Sequence, residues 1–117
     1  MRPTVLIVDD HAEFRASASE LLEAEGFDVI GAAGDATRAI ELALRLRPQV
    51  VLLDVQLPDR DGFAVAAQLA QGAQPPHVVL ISSREAAAYG RRVVDAPVRG
   101  FIAKRDLTGA ALASLVS

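Results

Sequence analysis

Three aspartates carry most of the chemistry open to this sequence. Asp54 follows the unbroken apolar run Val50-Val51-Leu52-Leu53, and the pair Asp9-Asp10 follows Thr4-Val5-Leu6-Ile7-Val8. Runs that are apolar at every position, and not at every second one, read as strands buried on both faces, the habit of parallel sheets. Open parallel sheets place their sites outside the carboxyl ends of their strands, so both runs should deliver acid to one edge. Grouped carboxylates repel one another and gain stability only when a cation or protons lie among them. An all-oxygen donor set suits Mg²⁺, with Mn²⁺ as a substitute. The competing reading is that Asp9 or Asp10 merely caps the helix that follows. His11 and His77, beside the acids and at the start of a strand, read as ordinary positions and not as ligands.

A cation is available for the same edge. Of the twelve basic residues eleven are Arg, and Lys104 alone is Lys. A drift toward Arg accounts for the excess but not for the exception. A compact ammonium fits as a point charge among oxygens where a planar guanidinium does not, so a single Lys after the run Gly100-Phe101-Ile102-Ala103 is a candidate functional cation. Ser82 ends another apolar run, His77–Ile81, where a hydroxyl either serves the site or caps the next helix.

The elements that must position these residues alternate short apolar runs with amphipathic stretches of helical length, the pattern of consecutive βαβ units. Strands are expected near 4–9, 27–31, 49–54, 77–81 and 99–103. A helix over Ala12–Glu25 carries Phe14, Ala18, Leu21 and Leu22 on one stripe and closes at Gly26. Asp35 can cap a second helix that Pro48 stops, and Asp61 a third from Gly62 to about Gln71, ended by Gly72 and Pro75-Pro76. The fourth, Arg84–Asp95, is the weakest, because Gly90 inside a helix costs about 1 kcal/mol relative to Ala. The last runs from about Asp106 to Val116, with Asp106 or Thr108 near its start. Asp59 reads as a turn residue.

The 117 residues read as one domain, 1–117, with an α/β fold: a five-stranded parallel sheet doubly wound with helices on both faces. Cysteine is absent, which removes disulfides and thiol chemistry. A net charge of −3 with acids and bases interspersed gives no basic stripe, so direct nucleic-acid binding is not expected. No apolar stretch approaches the length of a membrane span and no leader pattern precedes the first strand, so a cytoplasmic protein is expected.

Four fragments together, VLIVDD, VVLLDVQLPDRDGF, VVLISS and GFIAK, resemble the receiver domain of bacterial two-component response regulators, over essentially the whole chain. The resemblance implies a flavodoxin-like sheet of strand order 2-1-3-4-5 and a phosphoprotein modified on Asp54. It implies that Asp10, Asp54 and the main-chain carbonyl of Gln56 bind the metal directly while Asp9 acts mainly through a water. Lys104 would then pair with the phosphoryl oxygens, Ser82 would donate its hydroxyl to one of them, and Phe101 would change rotamer as Ser82 moves. A sensor histidine kinase or a phosphotransfer protein would be the donor. The chain would catalyse only its own phosphorylation and dephosphorylation, as a switch and not an enzyme of turnover.

The sequence departs from the commonest receiver pattern after Lys104, where Arg105 replaces the usual Pro; a trans peptide is expected there. Lys104-Arg105-Asp106 resembles receivers joined to helix-turn-helix output domains, so a fragment of a transcriptional regulator is the alternative. An aspartyl-phosphate phosphatase would want Asp-x-Asp on its first strand, which Asp9-Asp10-His11 does not supply. A receiver that works without phosphorylation sits poorly with a complete acidic site. No linker or recognition helix follows Val116, so output is expected by protein contact, as a homodimer or with a partner, through the fourth helix, the last strand and the last helix.

Overall fold

The computed structural model describes residues 2–116. The apolar runs form β1 (Thr4–Val8), β2 (Asp28–Ala33), β3 (Val50–Asp54), β4 (His77–Ser82) and β5 (Gly100–Ala103). All neighbours pair parallel in the order β2-β1-β3-β4-β5. The helices are α1 (Ala12–Ala24), α2 (Ala36–Leu46), α3 (Gly62–Leu69), α4 (Arg91–Asp95) and α5 (Gly109–Val116).

Successive strand residues point to opposite faces, and here both faces are covered. Leu6, Val8, Val51, Leu53, Val78 and Leu80 pack under α2 and α3, with Val93 of α4 at the margin. Val5, Ile7, Val50, Leu52, Val79 and Ile81 pack under Ala18 and Leu22 of α1 and Leu112 of α5. β1 and β3 lie at the centre of this sandwich, so the residues that follow them emerge from the most constrained part of the molecule.

Local chemistry sets the helix ends. Past α1, Gly26 takes φ 103° and the Phe27 N–H returns to the Leu22 carbonyl at 3.0 Å, the left-handed closure expected of that glycine. The start of α2 is held by two carboxylates. Asp35 accepts from the Arg38 N–H at 2.7 Å, while Asp59, from the loop after β3, accepts from the Ala36 and Thr37 N–H groups at 2.8 and 3.1 Å. These amides hold Asp59 well below the usual carboxylate range, at about 2. Asp59 is therefore more than a turn residue: it ties the β3–α3 loop to α2. Asp61 caps α3 through the Ala64 N–H at 2.8 Å.

Two helices differ from expectation. Residues 84–95 do not form one weak helix; a single 3₁₀ turn at Ala86–Ala88 is followed by the five-residue α4. Gly90 breaks them apart with φ 57° and ψ −133°, a conformation that side-chain-bearing residues rarely adopt. α5 starts at Gly109 and not near Asp106, because Lys104–Asp106 closes a separate 3₁₀ turn. Thr108 Oγ1 then accepts the Ala111 N–H at 3.0 Å, and Glu25 accepts the Gly109 N–H. The Lys104–Arg105 peptide is trans, as expected. Among the described residues no helix is long and apolar enough to cross a membrane.

Candidate functional site

Register brings the candidate residues to one edge. Val8 pairs with Leu53, so Asp9 and Asp54 are the next residues on adjacent strands. Asp54 pairs with Ile81, and Ser82 with Ala103, so Ser82 and Lys104 complete the edge. Asp9 is fully buried and Asp54 is 3% exposed, whereas Asp10 faces solvent.

The loop after Asp54 folds back because position 62 has no side chain. A Cβ on Gly62 would overlap the Asp54 carbonyl oxygen and lie 2.8 Å from the Val55 Cα. The Gly62 N–H instead bonds the Val55 carbonyl at 2.6 Å, and the Gln56 N–H donates to Asp54 Oδ1 at 3.0 Å. The sequence Leu57-Pro58-Asp59-Arg60-Asp61-Gly62 thus fixes one oxygen of the Asp54 carboxylate from below.

Lys104 fixes the other. Its Nζ lies 2.6 Å from Asp9 Oδ2 and 3.2 Å from Asp54 Oδ2, and 4.8 Å from the centre of the Phe14 ring. One small ammonium bridging two carboxylates is the use for which a forked guanidinium is poorly shaped. Burial opposes the charge on Lys104, but its contacts with Asp9 and Asp54 outweigh that and hold its pKa above the ordinary value. Burial likewise pushes the Asp9 carboxyl up, and the Lys104 ammonium and the His11 N–H pull it back below the ordinary range. For Asp54 burial prevails: helped by the nearby Asp9 charge, and opposed by the Gln56 N–H and Lys104, it raises the carboxyl to about 6.

One oxygen each of Asp9, Asp10 and Asp54 and one ring nitrogen of His11 lie within 4.8 Å of one another. Three carboxylates against one ammonium leave an excess of two negative charges, which fits a divalent cation with hard oxygen donors. His11, expected beside the acids but not as a ligand, has a ring nitrogen within this group. It stands at the N-cap of α1 without capping it, and its Nδ1 lies 3.1 Å from Asp9 Oδ1 and 3.0 Å from Asp10 Oδ1. Arg15 was also missed; its guanidinium donates to the Asp9 carbonyl at 2.7 Å.

Ser82 is at the edge, but its hydroxyl is not turned over to the acids. It accepts the Arg84 N–H at 3.1 Å and shares a 2.7 Å hydrogen bond with the Tyr89 hydroxyl. Phe101 is half-buried and meets the Tyr89 ring at 6.0 Å between centroids. Sequence reasoning missed Tyr89, although it is the only tyrosine in the chain.

The family model for the response regulator receiver domain matches residues 5–114. The virulence-factor transcription regulator BvgA of Bordetella pertussis is 32% identical over 102 residues, which cover 87% of this chain and 49% of that protein. The transcriptional regulatory protein PdtaR of Mycobacterium tuberculosis is 42% identical over 76 residues, 65% of this chain and 37% of that protein. The chain thus spans about half the length, or less, of these curated relatives. Among solved structures, the signal receiver domain of NarL from Mycobacterium tuberculosis superposes with a TM-score of 0.86 at 30% identity, covering 97% of this chain and 96% of that one.

Proposed function

The chain belongs to the response regulator receiver domain family, and from that membership we propose that it is a phosphorylation switch whose acceptor is Asp54. The observation that carries this reading is the Asp54 carboxylate itself, buried at the tip of a central strand and held at one oxygen by an N–H and at the other by an ammonium. An ionised carboxylate is already a nucleophile, so transfer needs alignment and charge neutralisation and no general base. With a carboxyl of about 6, Asp54 is mostly ionised at neutral pH. Its oxygen attacks the phosphorus of a phosphohistidine on a sensor kinase or phosphotransfer protein, the imidazole departs, and an acyl phosphate remains.

Asp10, Asp54 and the main-chain carbonyl of Gln56 would hold Mg²⁺, with Asp9 acting through a water. The ion, when bound, neutralises charge on the transferring phosphoryl oxygens. Lys104, the cation that already contacts Asp54 Oδ2, would pair with the same oxygens. Ser82 turns its hydroxyl to the phosphoryl group once the bond has formed, and residues 83–104, including Phe101, answer that movement. A cytoplasmic location fits such a donor.

Acetyl phosphate or phosphoramidate with Mg²⁺ tests this without the kinase. Intact mass should rise by one phosphoryl group, and the Asp54→Asn variant should show no such adduct. An adduct of undiminished yield in that variant sinks the assignment. The length and names of the relatives favour a second, compatible reading, in which this domain governs a transcription-regulating output segment. The reading frame beyond Ser117 decides that point.

A further inference from the structure

Tyr89 joins the edge of the site to the least regular part of the fold. Ser82 is 1% exposed, and its Oγ has two partners, the Arg84 N–H and the Tyr89 hydroxyl. A serine hydroxyl has one proton and two lone pairs, and in this arrangement most of that capacity is spent on the segment that follows β4. None of it is spent on Asp54. For Ser82 to turn toward a modified Asp54, the bond to Tyr89 has to break.

The Tyr89 ring is the hub of what lies beyond. It meets Phe63 edge-on with centroids 5.8 Å apart and Phe101 at 6.0 Å. Arg92 of α4 lies over the Phe63 ring at 4.2 Å and bonds Asp61 Oδ2 at 2.8 Å. Gly90, next in sequence, takes φ 57°, so a glycine-dependent turn is all that separates this ring from α4.

We propose that Tyr89 is a positioning residue for Ser82: its hydroxyl restrains the Ser82 side chain in the unmodified domain, and loss of that bond on modification releases the Tyr89 ring and, through Gly90, α4. The inference rests on the receiver reading above and assigns the first step of the response to Tyr89, ahead of Phe101. Phe101 then follows because its ring lies against Tyr89, not because it touches the hydroxyl.

The sequence supplies the probe. Tyr89 is the sole tyrosine and there is no tryptophan, so tyrosine emission reports this side chain alone. Beryllium fluoride, a phosphoryl mimic, is titrated with Mg²⁺ into wild-type protein, Ser82→Ala and Tyr89→Phe, with fluorine NMR counting the bound mimic. Wild-type emission should change with the same midpoint as binding, and Ser82→Ala should lose most of that change. Tyr89→Phe keeps the ring but removes the restraint, so it should bind the mimic about two- to tenfold more tightly, the equivalent of one neutral hydrogen bond. A merely structural tyrosine would weaken binding or leave it alone. If the mimic binds while wild-type emission stays constant and Tyr89→Phe keeps wild-type affinity, the restraint is overturned and the receiver reading stands. If no bound fluorine signal is found in any variant, the receiver reading fails and the restraint with it.

Discussion

At the scale of single residues, the acidic site contains its own counter-ion, yet burial still outweighs it and gives Asp54 a measurable pH dependence. Its folded-state value of about 6 lies above the ordinary 3.8. For a raised group the stabilisation is complete below the unfolded value and is lost as pH rises through the folded one. Asparagine copies the neutral carboxyl at every pH. In a chelator, Asp54→Asn should therefore match wild type near pH 4 and be the more stable at pH 7, by about 1–3 kcal/mol, since one pKa unit is worth about 1.4 kcal/mol. Parallel melting curves at both pH values would mean that burial does not set this carboxyl. Mg²⁺ should reverse the order by binding the folded wild type alone, and Asp10→Ala should remove its stabilising effect. Asp9, Asp10, Asp54 and Lys104 were legible because each ends an apolar run, and strand polarity alone sends such residues to one edge. Tyr89 and His11 were not. Tyr89 reaches Ser82 through an irregular turn that no periodicity describes, and His11 occupies a cap position that its side chain does not use.

At the scale of elements, the two flanks of Asp54 are built differently. On one side Asp59 caps α2 and Gly62 lies against the Asp54 backbone, so the β3–α3 loop is fixed at both ends. Gly62→Ala should cost about 1–3 kcal/mol, the usual penalty for forcing atoms into a filled space. Its chemical melting midpoint should fall accordingly; an unchanged midpoint would show that the loop can move aside. Asp59→Ala should cost about 1 kcal/mol, as the loss of a helix cap. On the other side, residues 86–95 hold one 3₁₀ turn and one short helix. Their amides should exchange with solvent well before those of α2. The strands, Gly26, and the caps Asp35 and Asp61 were readable because each acts within a few residues of its own position. The Asp59 cap spans 23 residues, and the split at Gly90 depends on a backbone angle, so neither leaves a periodic trace in the sequence.

At the scale of the molecule, charge is less evenly spread than the net value indicates. Residues 83–105 contain six basic and two acidic side chains, while the rest of the chain contains six basic and thirteen acidic. The expectation of interspersed charge thus averaged over a polarity that places Arg84, Arg91, Arg92, Arg99 and Arg105 around α4 and β5. If this surface is the output face, a partner should present acid to it, and affinity should fall as salt rises. Arg91→Glu should weaken such binding and flatten its salt dependence while leaving phosphorylation intact; Arg91 suits this test because its side chain is 84% exposed. The unequal flanks also decide how the domain would tolerate surgery. A circular permutant opened at Ala96-Pro97 severs neither the Asp59 cap, the Gly62 approach nor the Ser82–Tyr89 bond, and leaves the strand edge in register. The same cut at Asp59-Arg60 parts the α2 cap from the Gly62 approach. One side of this fold is a frame and the other a graft site, so a reporter inserted after α4 would sit on the segment that the Tyr89 proposal sets in motion.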